Sequence, residues 1–163
     1  MSLSVPDPNR EIESHPRSRE LETLAKRYFA LFNARALEEL RDVLHPDVTL
    51  EMNTVEPSTV LSGRDEVIRF LGKEFPHRLW EAVVQACETL GKNRAVVAGR
   101  VRWMDDQRVL RDDPKLWALE FLDGLLLRSI PVHTVREAES ILRSAESPLI
   151  PATDPAGSGL VKA

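Results

Sequence analysis

The hydrophobic pattern of this chain changes period between Gly72 and Trp80, and this change restricts the fold more than any other feature. Before it, apolar residues recur mainly at the three- and four-residue spacing of helix faces. After it come short apolar runs rich in valine, leucine, isoleucine and tryptophan, which are typical of strands. We therefore predict an α+β fold in which helices are segregated from a sheet.

Three helices and one strand are predicted in the first half of the chain. The first helix has an apolar face that runs from Leu21 to Phe32, and the second spans 36–44 and ends at His45-Pro46. The segment 48–52 alternates between apolar and polar residues like a strand, and a third helix begins at Gly63.

The second half is predicted to hold four strands and a closing helix, at 80–90, 95–104, 115–122, 125–134 and 135–144. A long loop is expected from Asp105 to Pro114, and Asp123-Gly124 is a strong hairpin dipeptide. Such short connections exclude a parallel, doubly wound sheet. We expect a curved, largely antiparallel sheet wrapped around the long N-terminal helix, with a mostly apolar pocket between them.

Prolines mark both ends of the chain, where sustained periodicity is missing. We predict a flexible N-terminal tail at 1–17, one folded domain at 18–145 and a flexible C-terminal tail at 146–163. A domain of this length lies within the usual size range.

Composition excludes several classes of partner. The formal net charge of −4 gives no bulk attraction for nucleic acid, and no apolar run is long enough to cross a membrane. Cys87 is alone, so it forms no intrachain disulfide. Four scattered histidines without close acidic or cysteine partners do not form a metal-ligand pattern. We expect a cytoplasmic protein without a metal or cofactor.

Five segments, taken in order, resemble the NTF2-like superfamily, and especially its SnoaL-like and ketosteroid-isomerase-like branch. Each segment is loose by itself, but their order and spacing are specific for the fold. The segments are Leu24–Phe32, Leu44–Leu50, Leu61–Leu71, Phe121–Arg128 and Val135–Ala138. The resemblance implies an NTF2-like cone that commonly pairs into a homodimer. It says less about activity, because this fold hosts several enzymes and binding modules.

The resemblance also implies roles for single residues. Enzymes similar to ketosteroid isomerase hold an oxyanion with a tyrosine on the first helix and a protonated acid on a late strand. Tyr28 lies at the tyrosine position and Glu120 near the acid position. Met52 stands at the position where these enzymes have an aspartate that acts as the general base. Steroid isomerisation is therefore not expected. His133, on the last predicted strand, is the candidate proton carrier by side-chain type.

The pocket is expected to be lined by apolar and aromatic residues, namely Phe32, Met52, Trp80 and Trp103. Alternation cannot say which face of the late strands is concave, so Glu120 lies either in the pocket or on the outer face. Tyr28 and His133 each have a purely structural alternative as packing residues.

Three functional hypotheses follow from these residues. The first is binding of a small, largely hydrophobic molecule in the cone, without an assigned activity. The second is an isomerase, dehydratase or cyclase in which Tyr28 and Glu120 polarise a carbonyl and His133 carries the proton. The third is a non-catalytic dimerisation or adaptor module, whose cone would be filled by its own side chains.

Overall fold

The computed structural model describes residues 16–52, 58–74 and 80–144. The predicted tails, 1–17 and 146–163, lie outside the described residues, except that Pro16 and Arg17 already belong to the first helix. That helix therefore begins within the predicted N-terminal tail.

The described elements begin with two helices, two strands and a third helix, and the second half consists of four strands and a closing helix. They are α1 (Pro16–Ala34), α2 (Leu37–Val43), β1 (Leu44–Met52), β2 (Thr59–Ser62), α3 (Arg64–Arg69), a π-helical turn (Phe70–Glu74), β3 (Trp80–Thr89), β4 (Arg94–Met104), β5 (Leu110–Leu122), β6 (Leu125–Val132) and α4 (Val135–Ser144). The predicted helices and the four late strands are confirmed, and β2 is a short strand that the sequence pattern did not predict.

The predicted loop from Asp105 to Pro114 is wrong. The β4–β5 connection is short because the Asp105 carboxylate accepts hydrogen bonds from the backbone N–H groups of Gln107 and Val109, at 2.9 and 2.8 Å. β5 then begins at Leu110, and its residues pair with β4 as far back as Met104. Pro114 lies inside this strand, opposite Arg100.

The six strands form one curved sheet that does not close, in the order β2-β1-β6-β5-β4-β3. β1 and β6 are parallel, and every other neighbouring pair is antiparallel. A bulge interrupts the pairing of β3 with β4 between Val84 and Ala86, where Gly99 lies opposite Val84. Bulges of this kind bend a strand and increase the local twist.

Two apolar clusters cover the two faces of the sheet. On the concave face, the aromatic side of α1 packs against residues that include Val97, Val101, Trp117, Leu119 and Phe121. On the convex face, α4 covers a smaller cluster formed by Val96, Ala118, Ile130, Val132, Ala138 and Leu142. Both faces of the late strands are therefore buried, each by a different helix.

Asn33, near the end of α1, ties this helix to the edge strand β3. Its side-chain amide donates to the Ala82 carbonyl at 2.8 Å, and its side-chain oxygen accepts from the Ala82 N–H at 2.9 Å. The pair of bonds imitates a strand neighbour, because it satisfies both backbone groups of one edge residue. The start of β3, including Trp80, is thereby held against the concave side.

Candidate functional site

A small cavity lies between α1 and the concave face of the sheet. Its volume is about 20 Å³, which is enough for about one water molecule. The residues that line it are mostly apolar and aromatic: Tyr28, Phe29, Phe32, Leu50, Glu51, Met52, Trp80, Trp117, Ser129 and Pro131. Of the residues expected to line a pocket, Phe32, Met52 and Trp80 do border this cavity, and their role in binding stays a prediction.

Aromatic rings form the walls of the cavity. The ring centroids of Phe32 and Trp80 are 4.8 Å apart, and those of Phe29 and Trp117 are also 4.8 Å apart. The ring of Tyr28 meets Phe29 edge-on at 4.8 Å. Such tilted contacts are the favoured geometries of aromatic pairs, so the walls are well packed.

Two hydroxyl groups stand out in this apolar environment. The Tyr28 side chain is buried, and it shares a hydrogen bond with the Ser129 side chain from β6. Ser129 is the one polar residue among the described residues that is fully buried. Sequence reasoning singled out Tyr28 but missed Ser129, because a lone serine in a strand carries no pattern. Together the two hydroxyls can donate to or accept from a neutral oxygen.

Burial raises the pKa of the Tyr28 phenol far above its ordinary value, and the hydrogen bond with Ser129 offsets only part of that rise. A raised pKa in the folded state means that the contribution to stability is complete below the unfolded pKa of about 10 and falls as the pH rises above it. Tyr28 therefore serves as a neutral hydroxyl group, with no tendency to ionise near neutral pH.

The titration of Tyr28 is open to direct measurement because the chain contains a single tyrosine. We expect the native protein to show no tyrosinate absorbance at pH values where the denatured chain ionises, about pH 10. Absorbance should appear only as alkali unfolds the protein. The Tyr28→Phe variant should show no such transition and a flatter loss of stability with pH. A native transition near the ordinary pKa would contradict the buried placement.

The structure does not bring Glu120 to Tyr28. On β5, Trp117, Leu119 and Phe121 face α1, so Glu120 lies on the opposite, convex face with Ala118. There its carboxylate lies 3.1 Å from Arg94 Nε and 3.8 Å from Arg128 Nε. The expectation that Glu120 polarises a ligand carbonyl beside Tyr28 is corrected by this geometry, since the sheet separates the two side chains.

Glu120, Arg94 and Arg128 form a partly buried cluster, called the Arg94–Glu120–Arg128 cluster below. The Glu120 side chain is 12% exposed, and Arg128 Nη2 donates to the Ile141 carbonyl of α4 at 3.2 Å. The cluster thus links β4, β5 and β6 to the last turn of α4, which gives Glu120 a structural role.

His133 is exposed and follows the end of β6 rather than lying within it. Its backbone N–H donates to the Glu137 carboxylate at 2.9 Å, and the Glu137 N–H donates to the Thr134 hydroxyl at 3.0 Å. Reciprocal bonds of this kind cap the first turn of a helix, here α4. The structure therefore separates His133 from the cavity, and the predicted set of Tyr28, Glu120 and His133 is not assembled.

Two further residues, Trp103 and Glu51, lie near the cone. Trp103 is half-buried against the concave cluster, and it is not among the described residues that line the cavity. Glu51 borders the cavity and is its one acidic residue among the described lining residues, while Leu50 and Met52 on the same strand are buried in the core.

Neither a metal cluster nor a membrane span is found in the described part of the chain. Residues 16–52, 58–74 and 80–144 bring no group of three or more histidine, cysteine, aspartate or glutamate side chains together around a possible ion. None of the helices described is both long and apolar enough to cross a membrane.

Comparison with known proteins identifies relatives of this arrangement. Residues 25–123 match the family model of the SnoaL-like domain. A protein from Kribbella flavida described as a ketosteroid isomerase is similar, with 27% identity, coverage of 69% of this chain and 76% of that chain, and a TM-score of 0.57. A comparison with curated proteins gives no match.

Two other solved structures share the fold at lower identity. A protein from Xanthomonas campestris described as a polyketide cyclase is 15% identical over 74% of this chain and 95% of that chain, with a TM-score of 0.60. TerC, crystallised with polyporic acid, is 16% identical over 76% of this chain and 98% of that chain, also with a TM-score of 0.60.

Proposed function

We propose that this chain, which belongs to the family of SnoaL-like domains, binds a small, largely hydrophobic molecule between α1 and the concave face of the sheet. The observation that carries the proposal is the pair of hydroxyls, Tyr28 and Ser129, at a cavity with aromatic walls. The specific activity is not assigned by this proposal.

The energetics of the hydroxyl pair support a binding role. Burial of a hydroxyl group costs free energy, and the hydrogen bond that the group forms roughly offsets this cost. In a purely structural core, phenylalanine at position 28 and alanine at position 129 would therefore pack at least as well. A ligand oxygen placed between Tyr28 and Ser129 would use both groups. The aromatic walls would contribute apolar contact around the rest of the molecule, as in most small-molecule sites.

The cavity of about 20 Å³ is too small for an organic ligand, so binding requires side chains of the cone to move. Met52 is the best candidate for adjustment, because methionine is unbranched and repacks at low cost. Trp80 is the second, since it lies at the start of the edge strand β3. The fold relative TerC, crystallised with polyporic acid, supports the idea that cones of this type accept organic molecules.

Mass spectrometry of the purified protein tests this proposal. The protein would be prepared without added ligand, analysed intact under native conditions and then denatured and extracted. We expect a small organic molecule that is released on denaturation and is lost or reduced in the Tyr28→Phe variant. Retention of the same molecule by a variant with a blocked cone, Ser129→Trp, would contradict the proposed site.

A dimerisation module is the second candidate, and the small cavity favours it. The convex face beyond α4 carries the Arg100–Asp112 ion pair at 2.7 Å and the exposed Leu110, which could meet a second copy of the chain. We propose a homodimer through this face. Sedimentation of the full chain should give a dimer, and Leu110→Arg should shift it toward the monomer; a monomeric wild type would contradict this pairing.

A further inference from the structure

We propose that Arg35 binds a carboxylate of the ligand, so that the cone selects apolar molecules that carry an acid group. This inference rests on the proposed function and deepens it, because it names the class of ligand.

The Arg35 guanidinium packs against a wall of the cavity. Its central carbon lies 5.1 Å from the ring centroid of Phe32, and its Nη1 donates to the Phe32 carbonyl at 3.0 Å. Phe32 itself borders the cavity and contacts Trp80. The cation is therefore separated from the apolar interior by no more than one ring.

The backbone of Arg35 adopts a left-handed conformation, with φ of 54°. It directly follows the last residue of α1, a position where glycine is strongly favoured because other residues are strained there. The end of the helix is closed by a backbone hydrogen bond, in which the Arg35 N–H donates to the Phe32 carbonyl at 3.2 Å. This bond does not involve the Arg35 side chain. Strained backbone of this kind clusters at ligand-binding positions, and helix closure itself does not need the charged side chain that Arg35 supplies.

The surroundings of Arg35 suit an anion. The side chain is half-buried, and burial lowers the pKa of the guanidinium. The group nevertheless stays charged, because the ordinary pKa of arginine is very high. Partial desolvation strengthens the attraction between opposite charges. Arg35 makes further contacts in the protein, but a carboxylate is the acceptor that a guanidinium binds most strongly, often through two parallel hydrogen bonds.

The placement of Tyr28 and Arg35 around Phe32 sets the shape of the ligand. The ring centroids of Tyr28 and Phe32 are 6.0 Å apart, and the central carbon of Arg35 lies 5.1 Å from the Phe32 centroid. A molecule that reaches both would carry its acid at one end and a neutral oxygen at the other, with an apolar body between them. This class includes hydroxylated aromatic acids.

Two fluorescent probes that differ only in charge test the inference. They are 6-hydroxy-2-naphthoate and its uncharged amide, 6-hydroxy-2-naphthamide, each titrated against the full chain. We expect the wild type to bind the acid about ten-fold more tightly than the amide. Arg35→Gly should remove this preference and leave amide binding unchanged, while the protein remains at least as stable as the wild type because glycine suits the backbone there.

The matched control is Arg27→Ala, which removes an exposed arginine from α1 and should keep the preference for the acid. Equal binding of the two probes by the wild type, or equal weakening of both by Arg35→Gly, would overturn the acid anchor and leave binding in the cone intact. Failure of the wild type to bind either probe would overturn the anchor together with the proposed function.

Discussion

Replacement of Gly99 by alanine should destabilise the protein by ~3 kcal/mol or more, because overpacking against a rigid backbone is costly. A Cβ atom at this position would overlap the Val83 carbonyl oxygen and lie 3.0 Å from the Val83 carbonyl carbon. These are backbone atoms of β3, so the clash cannot be relieved by rotation of a side chain. Relief would require the bulge in β3 to open, which would flatten the sheet.

Chemical denaturation followed by circular dichroism measures this effect. The control is Gly72→Ala, whose added Cβ would lie 3.1 Å from a methyl group of Leu37, the mobile end of a side chain. We expect the control to change the unfolding free energy by less than about 1 kcal/mol. A Gly99→Ala protein as stable as the control would show that the close approach of β3 is not required for the fold.

Replacement of Glu120 by glutamine should lower the unfolding free energy by about 2 kcal/mol and leave ligand binding in the cone unchanged. The loss arises because Arg94 and Arg128 keep their charges in a partly buried cluster without the carboxylate between them. The side chains are 12–25% exposed, so water reduces the cost below that of a fully buried ion pair.

The control for Glu120→Gln is Glu88→Gln, since Glu88 is an exposed acid on β3. This control should have an effect below about 0.5 kcal/mol, as is usual for surface substitutions. Denaturation measures stability, and titration with 6-hydroxy-2-naphthoate measures binding. A stable Glu120→Gln protein that no longer binds the probe would return Glu120 to the functional site and contradict its structural role.

Local patterns in the sequence predicted most elements of the fold. The Asp123-Gly124 hairpin follows directly from its dipeptide, because both residues adopt positive φ values, 52° and 77°, that Gly and Asp tolerate. The face of α1 is equally clear from its spacing. The short edge strand β2 escaped prediction, since four residues are too few to show a period.

The candidate site was less predictable, because alternation defines two faces without saying which helix covers each. Both faces of β5 are apolar where α1 and α4 pack, so Glu120 could not be assigned from its own strand. Glu120 lies opposite Arg128 and Arg94 on the neighbouring strands, and this pairing assigns its side chain to the convex face. Such cross-strand pairing becomes visible only once the register is known.

Arg35 and Ser129 show a second limit. Neither residue belongs to a sequence motif. Arg35 is singled out by its backbone angle, and Ser129 is singled out by its burial. The backbone angle of Arg35 belongs to the local closure of α1, whereas the burial of Ser129 depends on the packing of α1 against β6. Tyr28, in contrast, could be singled out because it is the one tyrosine of the chain and lies on the apolar face of the first helix.

Uptake of a small hydrophobic molecule by the cone can be followed through the methyl groups of the methionines. The chain has three methionines, Met1, Met52 and Met104, and of the two in described segments only Met52 lines the cavity. Carbon-13 labelled methyl groups would be followed by NMR during titration with 2-naphthol, an uncharged aromatic alcohol. We expect the Met52 resonance to shift and saturate while that of Met104 stays in place; an unmoved Met52 resonance at the highest soluble concentration of 2-naphthol would show that the cone does not take up such a molecule.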